Sequence, residues 1–103
     1  MSVPYMSGEW IAKPGSEDAF IAAWHAMVEW GNATIDGAAG AVLTRDRAEP
    51  RRFVSFGPWR DDAAIEAFRA HPEFRERVER IMPLLERFTV YTLDVVAEVV
   101  RPD

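Results

Sequence analysis

The side chains of this sequence that are suited to chemistry are mostly aromatic, and few of them titrate. A pocket lined by aromatic rings with one or two polar groups suits a planar, apolar small molecule. Within the set, histidine is the one residue type whose side chain ordinarily exchanges a proton near neutral pH, so His71 is the candidate for proton transfer. Capping of a helix end is the alternative role for His71. The candidates are Trp10, Trp24, Trp30, Trp59, Phe68, Tyr91, Glu9, Asp94 and His71.

Residue type and spacing exclude several kinds of site. The chain has no cysteine, which excludes disulfides, thiolate metal sites and cysteine nucleophiles. Its two histidines, His25 and His71, fall on different predicted elements, so we expect no metal site. The glycine-containing run 37–40 follows a helix and not a strand, so we interpret it as a turn and not as a phosphate-binding loop. Ser7 and Ser55 lack the context of a nucleophile elbow.

The charge pattern argues against nucleic acid as a partner. The formal net charge is −5, and between residues 73 and 80 arginines alternate with glutamates. Binding of nucleic acid through counterion release needs a clustered basic face, which this pattern does not provide. No apolar run approaches the ~20 residues of a membrane span, and no secretory signal is visible. We therefore expect a cytoplasmic protein without a membrane partner.

The elements that position the candidate residues follow the order strand, helix, two strands, helical region, strand. Ser16 precedes an acidic first helical turn, and Asp61 precedes a second helical run that Pro72 divides. The prediction is a strand over 3–12, a helix from 16 that ends at 36–37, strands over 40–45 and 51–59, helices over 62–70 and 73–81 with a kink near 82, and a last strand over 88–100. This βαββαβ order predicts one α+β domain over 1–103, ferredoxin-like, with a four-stranded antiparallel sheet and two helical regions on one face.

The same pattern predicts a binding cavity between the sheet and the helices. Helical periodicity turns Trp24 toward the sheet and His25 toward solvent. Gly8 lacks a side chain on the strand face that also carries Trp10. We expect Gly8, Trp10, Trp24 and Phe68 to enclose an apolar space that binds substrate, with His71 at its mouth as the catalytic residue. The alternatives are plain packing of the aromatic residues and, at Gly8, a bulge or a packed neighbour.

The last predicted strand is apolar on both faces. Its odd positions are Tyr91, Leu93, Val95, Ala97 and Val99, and its even positions include Phe88, Val90, Val96 and Val100. Two helices cover only one face of a four-stranded sheet, so a strand of this kind needs a second cover. We expect a second copy of the chain to supply it, which predicts a homodimer with facing sheets.

The second half of the chain resembles the antibiotic biosynthesis monooxygenase family. The resemblance rests on the strand that ends at Trp59, the acidic pair 61–62, Phe68 and the run 71–74, and the element order extends it from about residue 5 to residue 99. It implies a dimeric α+β barrel. Activities in this family include cofactor-independent oxygenation of aromatic polyketides and degradation of haem.

The resemblance also allows two branches of the family to be compared with this sequence. The haem-degrading branch uses an Asn, a Trp and a haem-ligating His, whose positions fall near Gly8 and on Phe68 and Val78. None of these three positions carries the residue type that the branch uses there, so we expect no haem degradation. The quinone-forming branch uses Asn, Trp, Tyr and Arg residues, and its pattern is not recovered because the only asparagine, Asn32, is predicted on the outer face of its helix.

These expectations lead to three functional hypotheses. The first is a cofactor-independent monooxygenase, an oxidoreductase that acts on a small aromatic, polyketide- or quinone-type substrate. The substrate would form a stabilised carbanion that reduces dioxygen, while the protein binds it, excludes water and accepts one proton. The second is a non-catalytic dimeric domain of the same fold that binds a small molecule. The third is a related isomerase or cyclase-type enzyme, or a protein without a ligand.

Overall fold

The computed structural model describes residues 2–102 as four strands and three helices. They are β1 (Tyr5–Ala12), α1 (Glu17–Thr34), β2 (Val42–Arg45), β3 (Arg52–Pro58), α2 (Asp62–Ala70), α3 (Pro72–Ile81) and β4 (Leu85–Leu93), with a 3-10 turn over Met82–Leu84 before β4. The strands form one antiparallel sheet in the order β2-β3-β1-β4. This arrangement confirms the predicted ferredoxin-like α+β fold.

The central strand β1 connects the two halves of the sheet. Trp10 lies opposite Phe53 on β3 and opposite Phe88 on β4. Its indole stacks on the Phe88 ring, with centroids 5.6 Å apart and an angle of 14° between the planes. On the helix side it contacts Phe20 of α1 at 5.6 Å. The even-numbered face of β1 therefore carries the core, as the alternation of the strand requires.

Helix α1 covers this face with one stripe of residues. Phe20, Trp24, Met27 and Gly31 are buried, a spacing of three to four residues, whereas His25 is exposed as predicted. Ser16 occupies the N-cap position, but its side chain makes no capping hydrogen bond within the described residues. The turn after the helix contains Gly37 with a φ of 97°, a conformation that favours glycine.

The helical region after β3 follows its sequence signals closely. Helix α2 has the predicted bounds, and the Asp61 side chain accepts a hydrogen bond from the Ala64 amide. Helix α3 begins at Pro72, one residue before the prediction, because proline suits the first helical position. The 3-10 turn contains Pro83 and confirms the kink expected near residue 82.

Several strand boundaries differ from the sequence-based expectation. The strand predicted over 88–100 is instead Leu85–Leu93, and residues 94–102 have no regular structure. The reason lies in the partner strand: β1 begins at Tyr5, which already pairs with Leu93, so further residues of β4 have no neighbour. β1 is two residues shorter than predicted at its start, and β2 begins at Val42 and not at residue 40.

The face of the sheet opposite the helices is open in the single chain. It exposes an apolar group, which we call the open-face patch, of Val42 (50% exposed), Phe56 (45%), Tyr91 (48%) and Leu93 (45%). The apolar side of β4 that was expected to be buried is therefore uncovered in one chain. Within residues 2–102, no helix has the length and apolar composition of a membrane span.

Candidate functional site

A cavity of about 420 Å³ lies between the helix face of the sheet and the helices. All three helices contribute to its wall, as do β1, β3, β4 and the loop 38–41. The lining is mostly apolar, and the volume falls in the range of pockets that bind small organic molecules. The predicted cavity between sheet and helices is therefore present.

Aromatic rings form much of the cavity wall. Trp10, Trp24 and Phe68, three of the four residues predicted to bind substrate, line it, and so does Trp59. The Trp59 and Phe68 rings lie 5.0 Å apart, and Phe68 also packs edge-on against Phe74 at 4.6 Å. These contacts fix the rings in place, so the cavity presents a preformed aromatic surface.

Gly8 has a different position from the one predicted. It does not line the cavity, and a Cβ atom at this position would lie 2.7 Å from three atoms of the Trp10 ring. The missing side chain therefore makes room for the Trp10 indole and leaves no free space. A larger residue at position 8 would displace Trp10, and its effect on binding would be indirect.

Ser55 and Trp10 form a buried polar contact in the cavity wall. The Trp10 indole Nε1 donates a hydrogen bond to Ser55 Oγ over 3.0 Å. Ser55 lies opposite Gly8 in the sheet and is only 7% exposed. From its sequence context Ser55 was considered only as a nucleophile. Its place on the same strand face as Phe53 was the signal for an inward-pointing hydroxyl.

The loop 38–41 approaches β3 closely and forms another part of the wall. A Cβ at Gly57 would lie 2.7 Å from Ala41 Cα and closer still to the Gly40 carbonyl oxygen, so only glycine allows this approach. The Asn32 side chain holds the loop, because its Oδ1 accepts from the Gly40 amide over 2.9 Å while its Nδ2 donates to the Val28 carbonyl over 2.9 Å. Asn32 is exposed, as its predicted outward position requires, and it also contributes to the cavity wall.

Arg69 is the one charged side chain in the cavity wall formed by residues 2–102. Its guanidinium donates to Thr92 Oγ1 over 3.2 Å, which ties the end of α2 to β4. Because an arginine remains protonated in proteins, it offers a fixed positive charge to an anionic ligand group. Its exposed position on α2 gave no sequence signal that distinguishes it from a solvated surface residue.

His71 lies at the junction of α2 and α3 and is not part of the cavity wall. Its Nδ1 accepts a hydrogen bond from the Glu73 amide over 3.1 Å, so it caps the start of α3. The ring meets Trp30 edge-on with centroids 4.9 Å apart. Since Nδ1 is engaged as an acceptor, the neutral ring carries its proton on Nε2, which is a donor in this arrangement. The catalytic role of His71 stays a prediction.

Two of the three positions compared with the haem-degrading branch face the cavity. Phe68 and Val78 both line it, so these positions point into the site but carry apolar side chains. Within residues 2–102, no cluster of three or more His, Asp or Glu side chains is placed to hold a metal ion.

Comparisons with known proteins agree with this geometry. The family model described as antibiotic biosynthesis monooxygenase matches residues 5–80. A mutant of SnoaB, a cofactor-independent oxygenase from Streptomyces nogalater, superposes with a TM-score of 0.89 at 15% identity and covers 98% of this chain and 100% of its own.

Two further solved structures are similar. Rv0793 from Mycobacterium tuberculosis has a TM-score of 0.81 at 21% identity, with 96% of this chain and 100% of that chain covered. SO0527 from Shewanella oneidensis has a TM-score of 0.78 at 26% identity, with 89% of each chain covered. No curated protein sequence matches significantly.

Proposed function

Since the chain belongs to the antibiotic biosynthesis monooxygenase family, we propose that it is a cofactor-independent monooxygenase acting on a small aromatic, polyketide- or quinone-type substrate. The observation that carries this proposal is the aromatic-walled cavity of about 420 Å³. The similarity to SnoaB, itself a cofactor-independent oxygenase, supports the reaction type.

The cavity fits a flat aromatic molecule better than a strongly polar one. Trp10, Trp24 and Phe68 offer ring surface, which prefers offset or edge-to-face contact with another aromatic ring. The few polar wall groups, among them Ser55 and Arg69, fix orientation without demanding a highly charged ligand.

The reaction requires a substrate that supplies all four electrons needed to reduce dioxygen. A ring methylene beside a phenol or ketone loses a proton to give a stabilised carbanion, which reduces dioxygen. One oxygen atom becomes a carbonyl on that carbon and the other leaves as water, so R₂CH₂ and O₂ yield R₂C=O and H₂O. The chain binds the substrate, excludes water from the carbanion and, through Arg69, favours its negative charge.

His71 is our candidate for the proton acceptor in this step, acting through Nδ1 once that atom is released from the Glu73 amide. Because Nδ1 caps α3, the informative variant is His71→Asn, which keeps a capping side chain and removes the imidazole. We expect it to bind substrate as the parent does and to lose turnover. Full turnover by His71→Asn would leave His71 as a helix cap alone.

A non-catalytic ligand-binding domain is the second candidate function. One observation favours it. The charged side chain in the described cavity wall, Arg69, does not act as a base at neutral pH, whereas the oxygenase reaction needs a group that accepts a proton. The two candidates share the binding step and differ in oxygen consumption.

We further propose that the working form is a homodimer in which the open-face patch of one chain covers that of another. The patch is apolar, and three of its members, Val42, Tyr91 and Leu93, are not part of the cavity wall, to which Phe56 also contributes. Burial of such a surface against its own copy is the common way to form a two-fold dimer.

The test is a binding and turnover experiment with anthrone, a planar ketone with an oxidisable ring methylene. We expect saturable quenching of tryptophan fluorescence and consumption of oxygen without an added cofactor. Val90→Phe, which fills the cavity from β4, should abolish both, whereas the exposed His25→Ala on α1 should change neither. Binding without oxygen consumption supports the second candidate. Equal binding by Val90→Phe and the parent contradicts the cavity as the site.

A further inference from the structure

Ser55 is the one buried polar side chain among residues 2–102, and it faces the cavity. A hydroxyl has one O–H donor besides its acceptor lone pairs. Ser55 Oγ accepts from Trp10 Nε1, and within residues 2–102 it donates to no acceptor. Since buried donors are nearly always paired, an unused donor in a cavity wall indicates a partner that arrives from the cavity.

The surroundings of Ser55 restrict where its proton can point. Trp10 is held by stacking on Phe88 and by contact with Phe20, so its Nε1 occupies one fixed side of the hydroxyl. Gly8, which lies opposite Ser55, presents no side chain. The space above Gly8 is filled by the indole ring, whose atoms would lie 2.7 Å from a Cβ there.

We propose that Ser55 donates a hydrogen bond to a carbonyl or phenolate oxygen of the ligand, with Trp10 Nε1 as the positioning group. The chain Trp10 N–H to Ser55 O–H to ligand oxygen strengthens each bond, because a hydroxyl that accepts is a better donor. This inference rests on the proposed function, since it assigns the substrate class to the same cavity: planar aromatic compounds that carry an oxygen acceptor.

The contact has a consequence for the proposed reaction. A donor on the ligand oxygen stabilises the enolate or phenolate form more than the neutral form. Ser55 therefore makes the bound substrate a stronger acid and lowers the demand on any protein base. Trp10 does not touch the reacting atoms in this scheme. Besides the ring surface that it offers the ligand, its N–H holds the Ser55 hydroxyl in its donor orientation.

The test uses two ligands of matched shape, 9-fluorenone with a carbonyl oxygen and fluorene without one. The measured quantity is the ratio of the fluorene Kd to the fluorenone Kd for each variant. We expect Ser55→Ala to lower this ratio about fivefold relative to the parent, the effect of one neutral hydrogen bond. Fluorene affinity should stay the same. Trp10→Phe, which keeps a ring but lacks the N–H, should lower the ratio by less.

The carbonyl stretch of bound fluorenone tests the contact without relying on the fold of a variant. In the parent protein the carbonyl stretching frequency should be lower than that of fluorenone in hexane. In Ser55→Ala the frequency should rise toward the hexane value. An unshifted band in the parent, or an equal ligand ratio in parent and Ser55→Ala, overturns the role of Ser55 while aromatic binding stands. If neither ligand binds the parent, the proposed aromatic site is itself wrong, and this inference falls with it.

Discussion

At the scale of single residues, Gly57 determines the shape of the site because it lets the loop 38–41 lie directly on β3. The neighbours that a Cβ would meet there are backbone atoms of residues 40 and 41, which cannot move as a side chain can. The loop in turn is fixed by Asn32 through the Gly40 amide. Gly57 and Asn32 therefore position the loop 38–41, a part of the cavity wall that belongs to no helix or strand.

We expect Gly57→Ala to displace this loop. The clash with backbone should cost about 1–3 kcal/mol of unfolding free energy, the usual cost of overpacking, and should weaken ligand binding. Chemical denaturation measures the first effect and fluorescence titration the second. For stability alone the matched comparison is Gly31→Ala, because the three nearest neighbours of its Cβ are atoms of the Phe68 side chain, at 3.0 Å and beyond, and a helical position favours alanine. Equal stability losses in both variants would contradict the proposed role of Gly57.

The residue types at two other cavity positions predict the response to haem. Phe68 and Val78 line the cavity where the haem-degrading branch carries a Trp and the ligating His. Titration with haem should therefore give no Soret shift typical of axial histidine coordination. A stoichiometric complex with that spectrum would show that one of the two histidines, His25 or His71, reaches the haem by a rearrangement.

At the scale of elements, the junctions on either side of α2 show which element boundaries can be predicted from sequence. Asp61 caps α2 and His71 caps α3, and both helices were predicted to within one residue. Helix caps are hydrogen bonds between residues close in sequence, so they can be predicted from a short stretch of the chain. The end of β4 was misplaced because it depends on where β1 begins, at the other end of the chain.

The same distinction applies to the site. Trp10, Trp24 and Phe68 follow from strand alternation and helical periodicity, which fix the direction of a side chain. The wall positions of Asn32 and Arg69 depend on a loop and a strand that approach from elsewhere, and no local pattern records such an approach. The cavity lining expected at Gly8 failed for a different reason: the Trp10 ring leans along its own strand over Gly8, and strand alternation gives the face of a side chain but not this lean.

The cap at Asp61 should make stability depend on pH in a defined window. The hydrogen bond from the Ala64 amide, aided by Arg60, lowers the pKa of Asp61 below its usual value of 3.8. The stabilisation is thus complete above the unfolded-state pKa and is lost as pH falls through the lower folded-state pKa. At pH 7, Asp61→Ala should lower the midpoint of thermal unfolding by a few degrees and Asp61→Asn by less. A gap between parent and Asp61→Ala that persists unchanged at pH 2.5 would exclude the carboxylate charge as its cause.

At the scale of the whole molecule, the two faces of the sheet have different roles. The helix face encloses the cavity, and the open face carries the open-face patch at one end. At the other end of that face lie charged residues, where Arg52 bonds to Glu9 over 2.8 Å and to Asp46 over 3.1 Å. An apolar area bordered by ion pairs has the composition of an interface with a polar rim.

The proposed homodimer can be tested with a substitution that a single chain tolerates. Leu93 is 45% exposed in one chain, so Leu93→Asp costs the monomer little but would bury a charge between two copies. We expect the parent to sediment as a dimer at micromolar concentration and Leu93→Asp as a monomer. His25→Asp, on the exposed side of α1, should remain dimeric. A parent that sediments as a stable monomer would contradict the proposal.

The pairing of β1 with β4 also affects how the protein is made. Tyr5 pairs with Leu93 and Trp10 with Phe88, so the pairing of the central strand is incomplete until β4 has been synthesised. Until β4 leaves the ribosome, one edge of β1 and the Trp10 ring lack their partners, and the nascent chain is exposed to aggregation. Pairing between distant segments also slows folding, to about milliseconds or longer. A chain that ends before Leu85 should therefore fail to fold, whereas removal of residues 96–103 should leave the refolding rate unchanged.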